Sequence, residues 1–233
     1  MQLSHLNIEN GTPYRLLTAL LLITLSLVPA LTSAGEPAGD VLRVTGRATV
    51  TSTDGNIVRI NKGTTISSQD IVSTSARSYV RLKMQDSSYI MVRPDSRLVI
   101  EDFRYNKKEP EQNRSFLSLL KGGFRAVTGF IKNKKKYGYR TTVATIGIRG
   151  TDISVQVCAL DCYDVDPVPP NGMFFAVNDG EAIITTGAGE FPFKRGQYAY
   201  VADKNSPAVL LDEAPDIFLQ RYIPGADPAS CKE

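Results

Sequence analysis

The stretch "SYVRLKMQDSSYIMVRPDSRLVIED", residues 78–102, alternates apolar and polar residues along three short segments. Side chains two positions apart lie on the same face of a β-strand, so this alternation predicts strands with one buried and one exposed face. The groups "QDSS" and "RPDS" between the segments contain Asp, Ser and Pro, which are typical turn residues. The stretch therefore predicts short strands joined by tight turns.

The same pattern extends over most of the chain. "DVLRVTGRATVTST", residues 40–53, alternates in the same way, and turn groups such as "TDGN" and "NKG" follow it. Helical patterns are short: "SFLSLLKGG" also fits a strand, and "APDIFLQRYIPG" is bracketed by Pro215 and Pro224. We expect an all-β fold, β-solenoid-like or built from stacked β-hairpins, with a short helical piece near the C-terminus.

Two segments share one design, "VTGRATVTSTDGNIVRINKGTTI" and "VNDGEAIITTGAGEFPFKRGQYAYV". Each has a glycine, an alanine two residues later, an apolar residue four residues later, a turn with glycine and a basic–Gly pair. A repeated hairpin that cannot bury its apolar face alone is expected to stack on its neighbours. The alternative is that two unrelated hairpins use common turn chemistry.

Residues 1–34 have the features of a secretory signal peptide. Arg15 precedes the uncharged apolar run "LLTALLLITLSLVPAL", and small residues follow at the positions that a signal peptidase reads. We expect cleavage after Ala34 and a soluble mature protein, without a membrane span, in the periplasm or outside the cell. The alternative is that the run is retained as a membrane anchor.

The predicted location outside the cytoplasm determines how the three cysteines are interpreted. Cys158 and Cys162 lie four residues apart in "CALDC", and in an oxidising compartment they are expected to form a disulfide. A redox site would more often have two residues between its cysteines, and a zinc site lacks a histidine ligand because His5 lies in the leader. Cys231 remains as a free thiol or as the partner of another chain.

Positive charge is concentrated in the middle of the chain. Residues 112–151 contain nine basic and no acidic side chains, whereas residues 152–233 contain five and thirteen. We expect the anionic last third to attract the middle and to compete with any external partner.

The segment "FIKNKKKYGYR", residues 130–140, combines cations with aromatic rings, as proteins that bind anionic polymers do. Outside the cytoplasm such a polymer is expected to be lipopolysaccharide, an anionic membrane surface or a polysaccharide rather than nucleic acid. The alternative is a solvated turn whose lysines prevent edge-to-edge pairing of sheets. The candidate binding residues are Lys132, Lys134, Lys135, Lys136, Tyr137, Tyr139 and Arg140.

The residue inventory is unfavourable for catalysis. Without a histidine in the mature chain, a Ser-His-Asp or Cys-His nucleophile cannot be assembled. Glu101 and Asp102 are adjacent and would point to opposite faces of a strand. Asp161, Asp164 and Asp166 fall in a proline-rich loop that lacks the spacing of an EF-hand calcium site. We therefore expect no enzymatic activity, no cofactor and no metal.

An ordered series of glycine turns ends in "GIRGT", and this series resembles the FecR-type domain, the extracytoplasmic part of regulators that sense receptor occupancy. The resemblance covers residues 41–157 through "GRATV", "INKGTTISSQDIVSTSARSYVRLKMQDSSYIMVRPDSRLVIED", "LKGGFRAVTG" and "TTVATIGIRGTDISV". The continuation, which includes "CALDC" and "KRGQYAYVAD", is similar to stand-alone exported members. Thr142 stands where these proteins usually have a proline.

The resemblance implies a β-solenoid-like fold, no enzymatic activity, and a binding or scaffolding role toward an envelope protein or polymer. Fifteen residues precede the apolar run, too few for a cytoplasmic anti-sigma segment, so direct control of a sigma factor is not expected. The predicted divisions are a signal peptide, residues 1–34, a FecR-type β domain, residues 35–157, a disulfide-closed loop with a second hairpin unit, residues 158–205, and a C-terminal tail, residues 206–233.

One arginine interrupts the uncharged stretch "TTVATIGIRGT", residues 141–151. In a strand, Arg149 points away from the face of its apolar neighbours, and Gly147 and Gly150 leave room around it. We expect Gly147, Arg149, Gly150 and Thr151 to be structural, with the guanidinium of Arg149 bound to backbone carbonyls or a carboxylate. Contact with a ligand is the alternative.

Overall fold

The computed structural model describes residues 35–131, 133–162 and 167–219, and the leader, Lys132, Asp164, Asp166 and Cys231 lie outside these ranges. The described chain is almost entirely β-structure, which confirms the predicted fold class. Its strands are β1 (Pro37–Thr45), β2 (Ala48–Thr51), β3 (Ile57–Arg59), β4 (Thr65–Ser67), β5 (Ile71–Thr74), β6 (Tyr79–Met84), β7 (Tyr89–Val92), β8 (Arg97–Arg104), β9 (Arg114–Val127), β10 (Tyr137–Thr141), β11 (Thr145–Cys158), β12 (Gly172–Thr186), β13 (Gly189–Lys194), β14 (Tyr198–Val201) and β15 (Val209–Leu211). Single 3₁₀ turns cover Pro110–Gln112 and Lys134–Lys136, and one α-helix, α1, spans Asp216–Leu219.

The alternation of apolar and polar residues from β6 to β8 appears as alternating burial. In β6, Val80, Leu82 and Met84 are buried, and the residues between them are half-buried or exposed. β7 pairs antiparallel with β6 after a turn in which Ser87 has a positive φ of 65°. A second turn, with Asp95 at φ 51°, leads from β7 to β8. The predicted strands and turns are therefore present where the pattern places them.

The strands form one continuous mixed sheet that is folded into two layers. β9, β11 and β12 bend, and each half of these strands pairs with different neighbours. The first layer has the order β4-β1-β6-β7-β9-β11-β12-β14-β15. The second has the order β3-β2-β5-β8-β9-β10-β11-β12-β13. Adjacent strands are antiparallel except β9 and β10, which are parallel.

The hydrophobic core lies between the two layers. One cluster of buried apolar side chains includes residues of both layers. Phe124 of the first layer and Tyr139 of the second have ring centroids 4.9 Å apart, and Phe175 and Phe193 make a similar contact at 6.0 Å. Burial of a side chain of this size contributes about 1.5–3 kcal/mol. Packing between the layers therefore stabilises the fold in addition to the hydrogen bonds within each layer.

Glycines with positive φ form the bends. The φ angles are 76° at Gly122 in β9, 62° at Gly150 in β11 and 78° at Gly180 in β12. At the last two bends the backbones touch, because a Cβ placed on Gly180 would lie 2.2 Å from the carbonyl oxygen of Gly150. Glycine is the residue that satisfies both the φ angle and the lack of space at this contact.

The two repeated segments form the same bent hairpin at the two sides of the sheet. In the first, β1 bends into β2, β3 returns, and β4 pairs with β1. In the second, β12 bends, β13 returns, and β14 pairs with the first half of β12. Equivalent hydrogen bonds close both units: the N–H of Gly63 donates to the carbonyl of Val41, and that of Gly196 to the carbonyl of Val177, each at 2.8 Å. The repetition predicted from the sequence is confirmed.

The helix α1 packs on the first layer. Ile217 is buried in a second, smaller apolar cluster that includes Phe174. The guanidinium of Arg93 donates a hydrogen bond of 2.7 Å to the carbonyl of Ile217 and lies over the ring of Phe218. The predicted short helical piece is confirmed as these four residues. Within the described ranges, no helix has the length and apolar character needed to cross a membrane.

We expect Gly180→Ala to lower the free energy of unfolding by more than about 3 kcal/mol, because the added methyl group meets the carbonyl of Gly150 at a residue with positive φ. Gly55→Ala is the matched control: Gly55 has φ 80°, and no atom lies within 4 Å of its Cβ position. This control reports the cost of the backbone angle, about 1–2 kcal/mol. Urea denaturation of both variants measures the difference, and equal losses would show that the contact between the bends is unimportant.

Candidate functional site

Residues 128–136 connect β9 in the first layer to β10 in the second and are called the strap. They contain all four lysines of the predicted binding segment. The strand register places the strap at the end of the sheet where β6 turns into β7 and where residues 105–113 join β8 to β9. This end of the molecule is called the strap end.

Backbone hydrogen bonds fix the first part of the strap. The N–H of Thr128 donates to the carbonyl of Thr151, and the N–H of Thr151 donates to the hydroxyl oxygen of Thr128, both at 2.9 Å. The N–H of Phe130 donates to the carbonyl of Asp86, also at 2.9 Å. Gly129 packs so closely on Asp86 that a Cβ there would lie 2.2 Å from the same carbonyl oxygen. The strap is therefore tied both to the bend of β11 and to the turn between β6 and β7.

The two side chains at the centre of the strap point in opposite directions. Ile131 is buried in the main core, whereas the ring of Phe130 is 69% exposed. At the far end of the strap, the Nζ of Lys136 donates to the carbonyl of Glu111, which links the strap to the loop of residues 105–113. Ile131 of the strap thus covers one end of the core, and the preceding Phe130 is presented to solvent.

A buried carboxyl group lies under the strap. The Oδ1 of Asp86 accepts hydrogen bonds from the hydroxyl of Ser88 at 2.6 Å and from its N–H at 3.0 Å. Burial raises the pKa of the Asp86 carboxyl, while the hydrogen bonds from Ser88 act in the opposite direction. Burial also raises the pKa of Tyr137, and the neighbouring carboxyl of Asp86 adds to that rise. The strap end therefore covers a group of titratable side chains that water does not reach.

The sequence identifies Asp86 only as a turn residue. Its one local signal is Ser88 two positions later, because an Asp in a turn commonly accepts hydrogen bonds from the residue two positions on. The burial of Asp86 depends on the strap, which is more than forty positions away in the sequence. No local pattern encodes that contact.

The structure corrects the binding role predicted for two aromatic residues. Tyr137 and Tyr139 are 3% and 0% exposed and belong to the main core. Both rings point inward because they occupy alternate positions of β10, with Gly138 between them. They cannot stack on a polymer, and the aromatic part of the predicted surface is reduced to Phe130.

The cations of the predicted surface differ in their surroundings. Lys135 is exposed at the strap end. Arg140 lies on β10 and forms an ion pair of 2.5 Å with Glu101 of β8, so that part of its charge is neutralised within the sheet. Lys132 and the side chain of Lys134 lie outside the described residues. Among the described side chains of this segment, Lys135 is therefore the exposed cation without an ion pair.

In the "GIRGT" motif the structural residues are Gly150 and Thr151. Gly150 forms the bend of β11, and Thr151 is buried and bonded to the strap. Arg149 is exposed opposite Glu181 of β12, and no hydrogen bond or ion pair joins it to the described part of the chain. Gly147 lies opposite Gly138 in the pairing of β10 and β11. The predicted binding of the Arg149 guanidinium to a carbonyl or carboxylate is thus not found among the described residues.

The carboxylates considered for catalysis are held in ion pairs. Glu101 pairs with Arg140 and Asp102 with Arg114, each at 2.5 Å. Asp161 lies within ion-pair distance, 3.5 Å, of a lysine of β9. In residues 35–131, 133–162 and 167–219, no three His, Cys, Asp or Glu side chains are grouped as a metal site requires.

The predicted disulfide is confirmed between Cys158 and Cys162, with a sulfur–sulfur distance of 2.06 Å. It lies at the end of β11 opposite the strap end, where it packs with Ile217 of α1. A surface cavity of about 360 Å³ lies beside it and is lined in part by Val143 and Val157. The disulfide thus supports the surface on which α1 rests.

We expect Arg149→Ala to change the free energy of unfolding by less than about 0.5 kcal/mol, because an exposed side chain without partners contributes little. Arg125→Ala is the contrasting variant, since Arg125 makes two hydrogen bonds, of 2.9 and 2.6 Å, to the half-buried carboxylate of Asp152. Its loss should cost more than about 1 kcal/mol. Thermal denaturation compares the two. A larger loss for Arg149→Ala would restore the structural role predicted from the sequence.

We expect the stability of the protein, relative to its Asp86→Asn variant, to fall as the pH rises above about 4. The unfolded carboxyl ionises near its ordinary pKa of 3.8, whereas the folded carboxyl keeps its proton to a higher pH. Between these two values the folded state binds more protons, so raising the pH favours unfolding. Asparagine keeps an oxygen acceptor for Ser88 and has no proton to lose. Urea denaturation of both proteins from pH 3 to pH 8 measures the difference, and a difference independent of pH would contradict the raised pKa.

Comparison with known proteins finds a similarity for the central part of the chain. Residues 70–161 match the family model described as FecR protein. Two crystal structures of a candidate anti-sigma factor from Parabacteroides distasonis ATCC 8503 are similar to this chain at 11% and 10% identity, with TM-scores of 0.47 and 0.46. Each comparison covers 61% of this chain and 59% of the solved chain, so the similarity spans about three fifths of the length of those structures. None of the curated proteins matches.

The family match begins just before β5 and ends in the disulfide loop after β11. It therefore includes the turn with Asp86, the strap and the "GIRGT" motif, and it leaves out the first bent hairpin and all residues after 161. Over residues 70–161 this chain is similar to the FecR family.

Proposed function

We propose that the chain is an exported, non-enzymatic binding module that recognises an envelope protein and has a signalling-related role. The leader pattern of residues 1–34 and a disulfide suited to an oxidising compartment support export. The FecR domain supports a binding role rather than a catalytic one.

The observation that carries the proposal is the apolar character of two sheet edges. β3 is an edge of the second layer, and its Ile57 and Val58 are 66% and 47% exposed. Among the described strands, β15 is an edge of the first layer, and its Val209 and Leu210 are each 52% exposed. An edge strand offers unpaired backbone groups to another strand, and exposed apolar side chains beside them add contact area for a partner.

The edge formed by β13 has a different character. Its sequence, "GEFPFK", places a proline within the strand and a charged residue near each end. Proline and charge are the devices by which proteins prevent pairing at an edge. The contrast between β13 and the apolar edges indicates that pairing is prevented at one edge of the second layer and permitted at the other.

The absence of enzymatic activity is supported by the chemistry of the side chains. The single histidine lies in the leader, and arginines hold the carboxylates of Glu101 and Asp102. Binding of an anionic polymer is the second candidate function. The exposed lysine of the strap supports it, but the buried rings of Tyr137 and Tyr139 remove the stacking surface on which it depended.

The test places a photo-crosslinking amino acid at Val58, at Leu210 and, as a control, at the exposed Glu190 of β13 in the native host. We expect a discrete protein adduct from Val58 or Leu210, and none from Glu190. Lysine substitution of the neighbouring Ile57 or Val209 should reduce that adduct at least tenfold, because a desolvated charge disfavours pairing at the edge. Fractionation should place the mature chain, beginning at Gly35, outside the cytoplasm. Adducts only from Glu190, or none at all, would contradict binding through the apolar edges.

A further inference from the structure

The strap end presents an apolar ring on a rigid support. The backbone of Phe130 is held by its hydrogen bond to Asp86, and Gly129 before it and Ile131 after it are packed against the protein. The ring therefore stays outside the core and remains 69% exposed. A single exposed apolar residue needs no explanation, but this one projects from an anchored backbone on the same segment as the exposed Lys135.

The arginines of the strap end form ion pairs with carboxylates of the same chain. Arg104 pairs with Glu109 at 3.1 Å, and Arg114 pairs with Asp102 at 2.5 Å. Arg125 and Arg140 are held by the carboxylates of other strands in the same way. These pairs cancel most of the negative charge that β8 and the loop of residues 105–113 bring to this end.

Three lysines of the strap end, in contrast, have no ion-pair partner among the described residues. Lys107 and Lys108 on the loop of residues 105–113 and Lys135 on the strap are exposed, and none of the three forms an ion pair with the described residues. The hydrogen bond from Lys136 to the carbonyl of Glu111 joins the two segments that carry them. The exposed carboxylate of Glu111 offsets one of these charges and leaves the surface positive.

From this arrangement we infer that the strap end docks on the surface of an anionic lipid bilayer. Lysine ammonium groups on flexible stems bind headgroup phosphates whose positions vary, whereas the planar guanidinium of arginine suits fixed bidentate partners. The ring of Phe130 enters the boundary between headgroups and acyl chains, where an apolar group leaves water. A soluble polyanion provides the charge but no apolar layer for the ring. This docking is independent of the sheet edges and of the protein partner proposed for them.

The chain contains no tryptophan, so a single tryptophan reports on one site. Phe130→Trp places that reporter on the strap, and Leu160→Trp places it at an exposed position at the opposite end. With vesicles of phosphatidylcholine and phosphatidylglycerol, we expect a blue shift of the strap reporter and quenching by lipids brominated in their acyl chains. We expect neither with phosphatidylcholine alone. The Leu160→Trp protein should respond to neither vesicle, which separates docking of the strap end from insertion of the apolar leader.

The charge requirement is tested in the Phe130→Trp protein by replacing Lys107, Lys108 and Lys135 with glutamine. The affinity for the anionic vesicles should fall by about a hundredfold, since each lysine near the surface contributes about 1 kcal/mol. Thermal denaturation confirms that these exposed substitutions leave the fold intact. Equal responses of both reporters, no response of the strap reporter, or an unchanged affinity of the glutamine variant would overturn the inference. A blue shift with soluble dextran sulfate and none with vesicles would assign the surface to a polymer instead.

Discussion

At Gly180 the backbone of β12 passes so close to the carbonyl of Gly150 that no side chain fits between them. The two bends lie on neighbouring strands, and they direct both strands from one layer into the other at the same level. A two-layer core requires bends at the same level, because the apolar face of each layer must pack against the apolar face of the other. The contact between Phe175 and Phe193 shows the result: two residues of one bent hairpin pack edge to face across the core.

The position of the strap follows from the same bend. Thr151 comes directly after Gly150, and both its N–H and its carbonyl bind Thr128 at the start of the strap. From there the chain crosses the end of the core and covers Asp86. The backbone carbonyl of Asp86 holds the strap, and its carboxyl group holds Ser88 in its own turn. A buried acid is costly as a charged group, and its pKa is raised accordingly. The strap is thus built over a carboxyl group whose pKa is raised by burial.

The sequence predicts those features of the structure that depend on neighbouring residues. Alternation predicts the strands from β6 to β8, turn residues mark where they end, and the spacing of Cys158 and Cys162 predicts the disulfide. The shared order of glycines, alanine and basic–Gly pair in the two repeated segments predicts their common form, because each unit needs its bends at similar intervals. Whether Tyr137 faces the core or solvent depends on the strand pairing of β10 with β9 and β11, which the sequence does not specify. An alternating run of polar and aromatic residues fits either orientation until the register is known.

The charges illustrate the same dependence on register. Counted along the chain, the cationic middle faces an anionic last third, and the two would be expected to neutralise each other. In the structure, carboxylates of β8, which precedes the cationic middle, pair with Arg114 and Arg140. Arg125 pairs with Asp152, the first acidic residue after the middle. Arg114 and Arg125 each meet a carboxylate on the strand paired with their own, because paired strands bring side chains of one face within about 5 Å of each other. Arg140 reaches Glu101 of β8 across the intervening strand β9. Lysines in the loops at the strap end have no such neighbour. The pairing of strands therefore decides which of these charges cancel, and Lys107, Lys108 and Lys135 remain at the strap end without an ion pair to the described residues.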